Sequence, residues 1–216
     1  MCSHYQGIKE RERFYRAFGH YPPAPDYTTD VWPGYKAPFI RRPREADAGD
    51  EAAPEREVCM GQFGLLPHWC KDEKFGRRTF NARSETAATL PSFRDAWRQG
   101  MRCIVPAEAI YEPDWRSGKA VATRISRANG EPMGIAGLWS WWRPPNGAEV
   151  LSFTMLTVNA DTHELMCNYH RPGEEKRMVV ILPEEAYASW LTAPVNRVSD
   201  FLRHFPASEL VPDTGL

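Results

Sequence analysis

R-C-I-V-P-A-E-A-I-Y-E-P-D-W, residues 102–115, carries two short apolar runs interrupted at Glu108. Both Arg102 to Pro106 and Ala109 to Tyr111 read as β-strands. Four more stretches read the same way downstream: Lys119 to Ser126, Met133 to Trp142, Val150 to Val158 and Met178 to Leu182. Upstream, Met60 to Trp69 is strand-like and ended by Pro67. These strands are too short and too closely spaced for a doubly wound sheet. A curled or barrel-like, mostly antiparallel sheet buries such strands and limits exposed edges. The expected fold class is therefore α+β, one β-rich domain over residues 1–216 with short flanking helices.

Three helices are expected around that sheet. Ile8 to Phe18 places Phe14, Tyr15 and Phe18 at helical spacing. Ser92 is placed to cap a helix with Phe93, Ala96 and Trp97 on one face and Gly100 at its end. Pro183 to Leu191 has a proline in its first turn and an apolar stripe of Ala186, Tyr187, Trp190 and Leu191. Tyr21 to Pro38, rich in proline and aromatics, reads as ordered loop or edge strand. Arg41 to Glu57 has few apolar anchors and reads as a solvated surface loop. No internal repeat is present.

The chain is 42% hydrophobic and 12% aromatic, enough for a sizeable core. Some of its eight tryptophans are expected to pack in that core. The formal net charge of −1 gives no global basic field, so any nucleic-acid site must be a local patch. Five cysteines, with no C-x-x-C pair, argue against a disulfide framework and a zinc knuckle. The expectation is a reducing cytoplasm, with no metal or cofactor. M-C-S-H-Y-Q-G-I-K-E at the start is not a signal peptide, and no stretch approaches transmembrane length. Nothing suggests more than a monomer.

Four segments can carry chemistry. Removal of Met1 would leave Cys2 with two nucleophiles, an α-amine with reference pKa near ~7.7–8.0 and a thiol near ~8.5. An amine attacks an aldehyde to give an imine, and the neighbouring thiol can close on the imine carbon as a five-membered thiazolidine. T-F-N-A-R-S-E-T, residues 79–86, offers Asn81 to orient a reacting group and Arg83 to grip a phosphate. It reads equally well as a structural turn with a surface ion pair. In residues 102–115, Glu108 and Glu112 both compete for an acid–base role. In C-N-Y-H-R-P-G-E-E-K-R-M-V-V-I-L, residues 167–182, His170 titrates in the useful range, and Arg171 beside it could hold a phosphate.

In this order the segments resemble the SRAP family, the SOS-response-associated peptidases that act on abasic sites. The resemblance rests on the initial Met-Cys, G-L-L-P-H-W at 64–69, N-A-R-S-E-T at 81–86, R-C-I-V-P-A at 102–107 and I-Y-E at 110–112. It continues through A-G-L-W at 136–139, F-T-M-L-T at 153–157 and the His170 segment, so it spans nearly the whole chain. It implies that Cys2 is the nucleophile, Asn81 positions it, Glu112 rather than Glu108 is the catalytic acid, and His170 helps open the sugar. It implies phosphate contacts from Arg83 and Arg171, and an aromatic at Trp69 near the DNA path. Three features depart from the family. Ser3-His4-Tyr5 stands where Gly-Arg-Phe is usual, Pro113 follows Glu112 in place of Trp, and residues 172–177 are inserted before Met178. The insertion leaves Arg171 and Arg177 as alternative phosphate ligands.

The resemblance implies covalent capture of abasic sites in single-stranded DNA. The aldehyde opens with help from His170, the Cys2 amine forms an imine while Glu112 moves protons, and the thiol closes the thiazolidine. Two other readings remain at this point: a cysteine peptidase built on Cys2 and His170, and a catalytically silent DNA-binding module of the damage response.

Overall fold

The computed structural model describes residues 2–23, 27–44, 54–145 and 147–213. In chain order the strands are β1 (Tyr5–Gln6), β2 (Asp30–Val31), β3 (Lys36–Arg41), β4 (Glu57–Phe63), β5 (Asn81–Arg83), β6 (Arg102–Ala107) and β7 (Ala109–Asp114). They continue with β8 (Val121–Arg127), β9 (Met133–Trp142), β10 (Val150–Asn159), β11 (Arg177–Val179), β12 (Ile181–Leu182) and β13 (Leu210–Asp213). The helices are α1 (Arg11–Phe18), α2 (Arg94–Arg98) and α3 (Tyr187–Thr192).

The longest strands explain the architecture. β9 is buried at every position from Met133 to Trp139, so both of its faces are covered. One face belongs to a closed ring. β4 pairs with β3, β3 with β6, β6 with β9, β9 with β10, and β10 returns to β4. Every pair in the ring is antiparallel except β10–β4, where Phe153 lies opposite Phe63. Closure leaves the ring without a free edge. Phe39, Phe63 and Phe153 fill it, with ring centroids 5.4 and 5.6 Å from Phe153. The other face is covered in part by α3, whose Trp190 donates from its indole to the Cys103 carbonyl at 2.8 Å.

A second, wholly antiparallel sheet runs β13–β8–β7–β1–β2. The chain passes from the ring to this sheet at Glu108, whose backbone N–H donates to Gln6 O at 2.8 Å. The barrel-like, mostly antiparallel α+β expectation therefore holds.

Several local expectations need correction. α1 starts at Arg11 rather than Ile8, because Gly7 N–H bonds Thr29 O and Tyr27 bonds the Ile8 carbonyl, which holds that stretch extended. Tyr15 faces solvent while Phe14 and Phe18 are buried. Ser92 caps nothing: α2 begins after Phe93, and the preceding turn supplies the bonds from Phe93 and Arg94 to Leu90 O. β4 ends at Phe63, before Pro67, because Gly64 turns with φ +117 and packs on Gly76 so closely that a Cβ would lie 2.0 Å from its carbonyl oxygen. The 178–182 run is two strands. Its backbone changes partner at Val180, which donates to Leu156 O and accepts from Ala136 N. Pro183 to Leu191 is a 3₁₀ turn at Glu184–Ala186 running into α3. Arg41 and Glu57 are not loop: they are paired strand residues joined by a 2.7 Å ion pair, and residues 45–53 between them lie outside the described residues. β2 does form an edge strand within Tyr21 to Pro38.

Candidate active site

The chemistry converges where β1 meets β7. Tyr5 pairs with Ile110, which brings the chain start alongside the strand carrying Glu112. Tyr111 N–H donates to His4 O at 3.0 Å and fixes that register. The Cys2 thiol then points at the same His4 carbonyl, 3.4 Å away, and lies in hydrogen-bonding contact with the Glu112 carboxyl. Glu112 follows Tyr111 on β7, and its side chain turns into the buried space behind it.

His170 closes the cluster. Its backbone N–H donates to Pro113 O at 2.9 Å, so β7 holds both acid and imidazole. Its φ is +62, the one left-handed conformation among the described non-glycine residues. Such strain persists only where surrounding bonds enforce it. Here Pro113 O, the neighbouring Asp114–Tyr169 bridge and the Lys176 ammonium on His170 O do so. Nδ1 lies 3.3 Å from Glu112 Oε2, and Nε2 lies 3.0 Å from Arg177 O. A carbonyl only accepts, so Nε2 carries a hydrogen. Nδ1 faces the Glu112 carboxyl.

Burial raises Glu112 to about 7, partly offset by its bond with Cys2, and it lowers His170. The carboxyl is thereby left able to give up a proton near neutrality. In the chain that still carries Met1, Cys2 is buried, and burial, reinforced by Glu112, pushes its thiol pKa well above the ordinary value. Glu108 is removed from contention by Arg13, which grips it at 2.7 and 3.0 Å.

The other expected residues are placed by other elements. Asn81 opens β5, opposite Met155 on β10, and is buried. Its amide donates to Phe80 O, while Oδ1 has no partner among the described residues. Arg83, on the same short strand, is half exposed and paired with Glu175 at 2.7 Å. Arg177 is buried. It holds Glu85 through both terminal nitrogens at 2.9 and 2.8 Å, and Glu175 at 2.8 Å. Its own backbone carbonyl accepts from His170 Nε2. Arg171 is exposed, 5.9 Å from the Trp115 ring. Trp69 is 43% exposed and packs edge-on against Phe75 at 5.1 Å. Among the described residues no cluster of three or more His, Cys, Asp or Glu is placed to hold a metal, and the described cysteines are all free.

The sequence model of the SOS response associated peptidase family, SRAP, matches residues 1–212. The chain belongs to this family. SRAP relatives include the abasic site processing protein YoqW of Bacillus subtilis, 36% identical over 143 residues that cover 66% of this chain and 60% of that protein. They also include the abasic site processing protein HMCES of Xenopus tropicalis, 31% identical over 164 residues, 66% of this chain and 47% of that one. The match therefore spans about half to three-fifths of these relatives. A crystal structure of a Bordetella bronchiseptica protein is 50% identical, with a TM-score of 0.88 and 98% of each chain covered. A Bacteroides thetaiotaomicron protein at 20% identity and TM-score 0.78 shares the fold.

Two features of this SRAP chain escaped the sequence. The Glu85–Arg177–Glu175–Arg83 network joins residues up to 94 positions apart in number, and only the acidic ends of N-A-R-S-E-T and G-E-E hinted at it. His4 is stacked between Trp32 and Tyr111, with centroids at 4.0 and 4.1 Å, and pairs with Asp30. The Arg-to-His departure at position 4 thus accompanies a built aromatic clamp beside Cys2. No helix among the described residues is long and apolar enough to cross a membrane.

Proposed function

We propose that this chain captures abasic sites in single-stranded DNA covalently through Cys2, after removal of Met1. The carrying observation is that the Cys2 thiol is buried against the Glu112 carboxyl and the His4 carbonyl, with His170 Nδ1 3.3 Å from Glu112 Oε2 and Nε2 on the Arg177 carbonyl. A cysteine peptidase needs a thiolate–imidazole pair. Aldehyde capture needs an amine, a nearby proton donor and acceptor, and a thiol that reacts later.

The reaction balances without an oxidant. The Cys2 amine adds to the sugar aldehyde carbon, and Glu112 protonates the departing hydroxyl as water leaves and the imine forms. The Cys2 sulfur then adds to the imine carbon and its proton passes to the nitrogen, closing the thiazolidine. His170 Nδ1 takes the proton that the nitrogen gives up as the imine forms and returns it to Glu112, and it assists opening of the sugar. Placing two nucleophiles and a proton carrier around one carbon supplies most of the rate gain. Arg83, Arg171 and Trp69 hold the strand, Arg83 by exchanging Glu175 for phosphate. A single strand exposes the aldehyde without prior unstacking.

A denaturing gel tests this. Tag-free protein incubated with a single-stranded oligonucleotide bearing one abasic site gives a heat-stable shifted band that Cys2→Ala lacks. No band from protein whose Met1 is shown by mass to be gone refutes the proposal. Cleavage of peptide substrates by N-terminally blocked protein would favour the peptidase, and binding with no adduct the silent module.

A further inference from the structure

Arg102 opens β6 at the end remote from β7. Its side chain is 5% exposed, yet Nη2 has no hydrogen-bond partner among the described residues. Burial weakens its hold on its proton, with no carboxylate acting against that. A guanidinium stays charged regardless, and a buried charge without a counter-charge is a costly arrangement. Trp190 offers only its ring, 5.7 Å away.

Arg102 is among the residues lining a cavity of ≈ 440 Å³, together with Arg42, Arg44, Arg98, Trp139 and Trp141 and the 191–195 turn. The described lining contains no Asp or Glu. Arg44 is already answered by Glu149 at 2.7 Å and lies 5.4 Å over both indoles. The charge offered to a ligand therefore comes chiefly from buried Arg102 and exposed Arg98. Trp141 is 40% exposed beside them. β6 spans roughly 17 Å before the chain turns towards Glu112, which sets this cavity apart from Cys2.

We propose that this cavity binds a nucleotide unit, its phosphate on the forks of Arg102 and Arg98 and its base against Trp141. Guanidinium forks match phosphate oxygens in pairs, and an indole stacks any base. The unit is a free nucleotide or one within a strand; the strand source rests on the DNA reading above.

Calorimetric titration of the full chain tests it, with thymidine monophosphate, inorganic phosphate and an undamaged single-stranded oligonucleotide as probes. The nucleotide is expected to bind tighter than phosphate, and Trp141→Ala and Arg98→Ala each weaken it about tenfold. Both are surface changes. Arg102→Lys keeps the charge and removes the fork, and should weaken binding similarly. An effect confined to the oligonucleotide assigns the strand source. Affinities that move less than about twofold in Trp141→Ala and Arg98→Ala, for nucleotide and oligonucleotide alike, overturn the site. Capture on the gel is read separately: loss of capture with intact nucleotide binding refutes the Cys2 reading and leaves this one standing.

Discussion

At Glu112 the demands of folding and chemistry oppose one another. Below its ordinary value of 4.5 the carboxyl is protonated in both folded and unfolded chains. Between 4.5 and about 7 the folded protein keeps a proton that the unfolded chain releases. Stability contributed by this group therefore falls as pH rises across that window and levels off above it. Glu112→Gln removes the penalty. Melting curves should show the variant gaining on the native chain from about pH 5 to about pH 8, reaching up to ~3 kcal/mol. A gap that stays flat with pH would mean the carboxyl ionises at its ordinary value. His170→Ala should slow capture by ~10²–10⁴-fold with oligonucleotide binding unchanged, read by quenched time points on the gel. That Cys2, Glu112 and His170 come together was legible from motif order, since each sits in a local phrase. The raised pKa of Glu112 and the hold on His170 were not, because they depend on burial and on a carbonyl seven positions downstream of His170.

Among elements, β9 and β10 were readable almost to the residue, since long apolar runs have only one way to be covered. Boundaries failed where backbone partners outside the segment decide them. Val180 splits one apolar run into two strands by bonding β10 on one side and β9 on the other. The end of β4 is set by contact between Gly64 and Gly76, which no local pattern announces. Gly64→Ala meets both a positive φ and a carbonyl at 2.0 Å, so it should destabilise the chain by at least ~2 kcal/mol in denaturant titration. A neutral result would mean that this crossing can open without cost.

For the whole molecule, a net charge of −1 means that the proposed attraction to DNA must come from local arginines. Each phosphate neutralised on a single strand contributes about −0.7 to the slope of log affinity against log salt. Arg83 and Arg171 together predict about −1.4, and Arg171→Ala should reduce the slope by about 0.7. Steeper dependence in the native chain that relaxes in Arg98→Ala would bring the second cavity onto the strand's path. The barrel-like class followed from strand spacing alone. The closing pair did not, because β4 and β10 are parallel and far apart in sequence.

That parallel seam has a consequence for biosynthesis. While the ribosome is still making β9, the nascent chain holds β3 and β4 with one rim uncovered, since Gln62 and Phe63 must wait for Ser152 and Phe153. Pairings of such sequence separation form slowly, and an unpaired rim invites other chains. Messages cut short before codon 150 should therefore yield insoluble fragments, and chaperone supply should govern yield more than the finished protein's stability does.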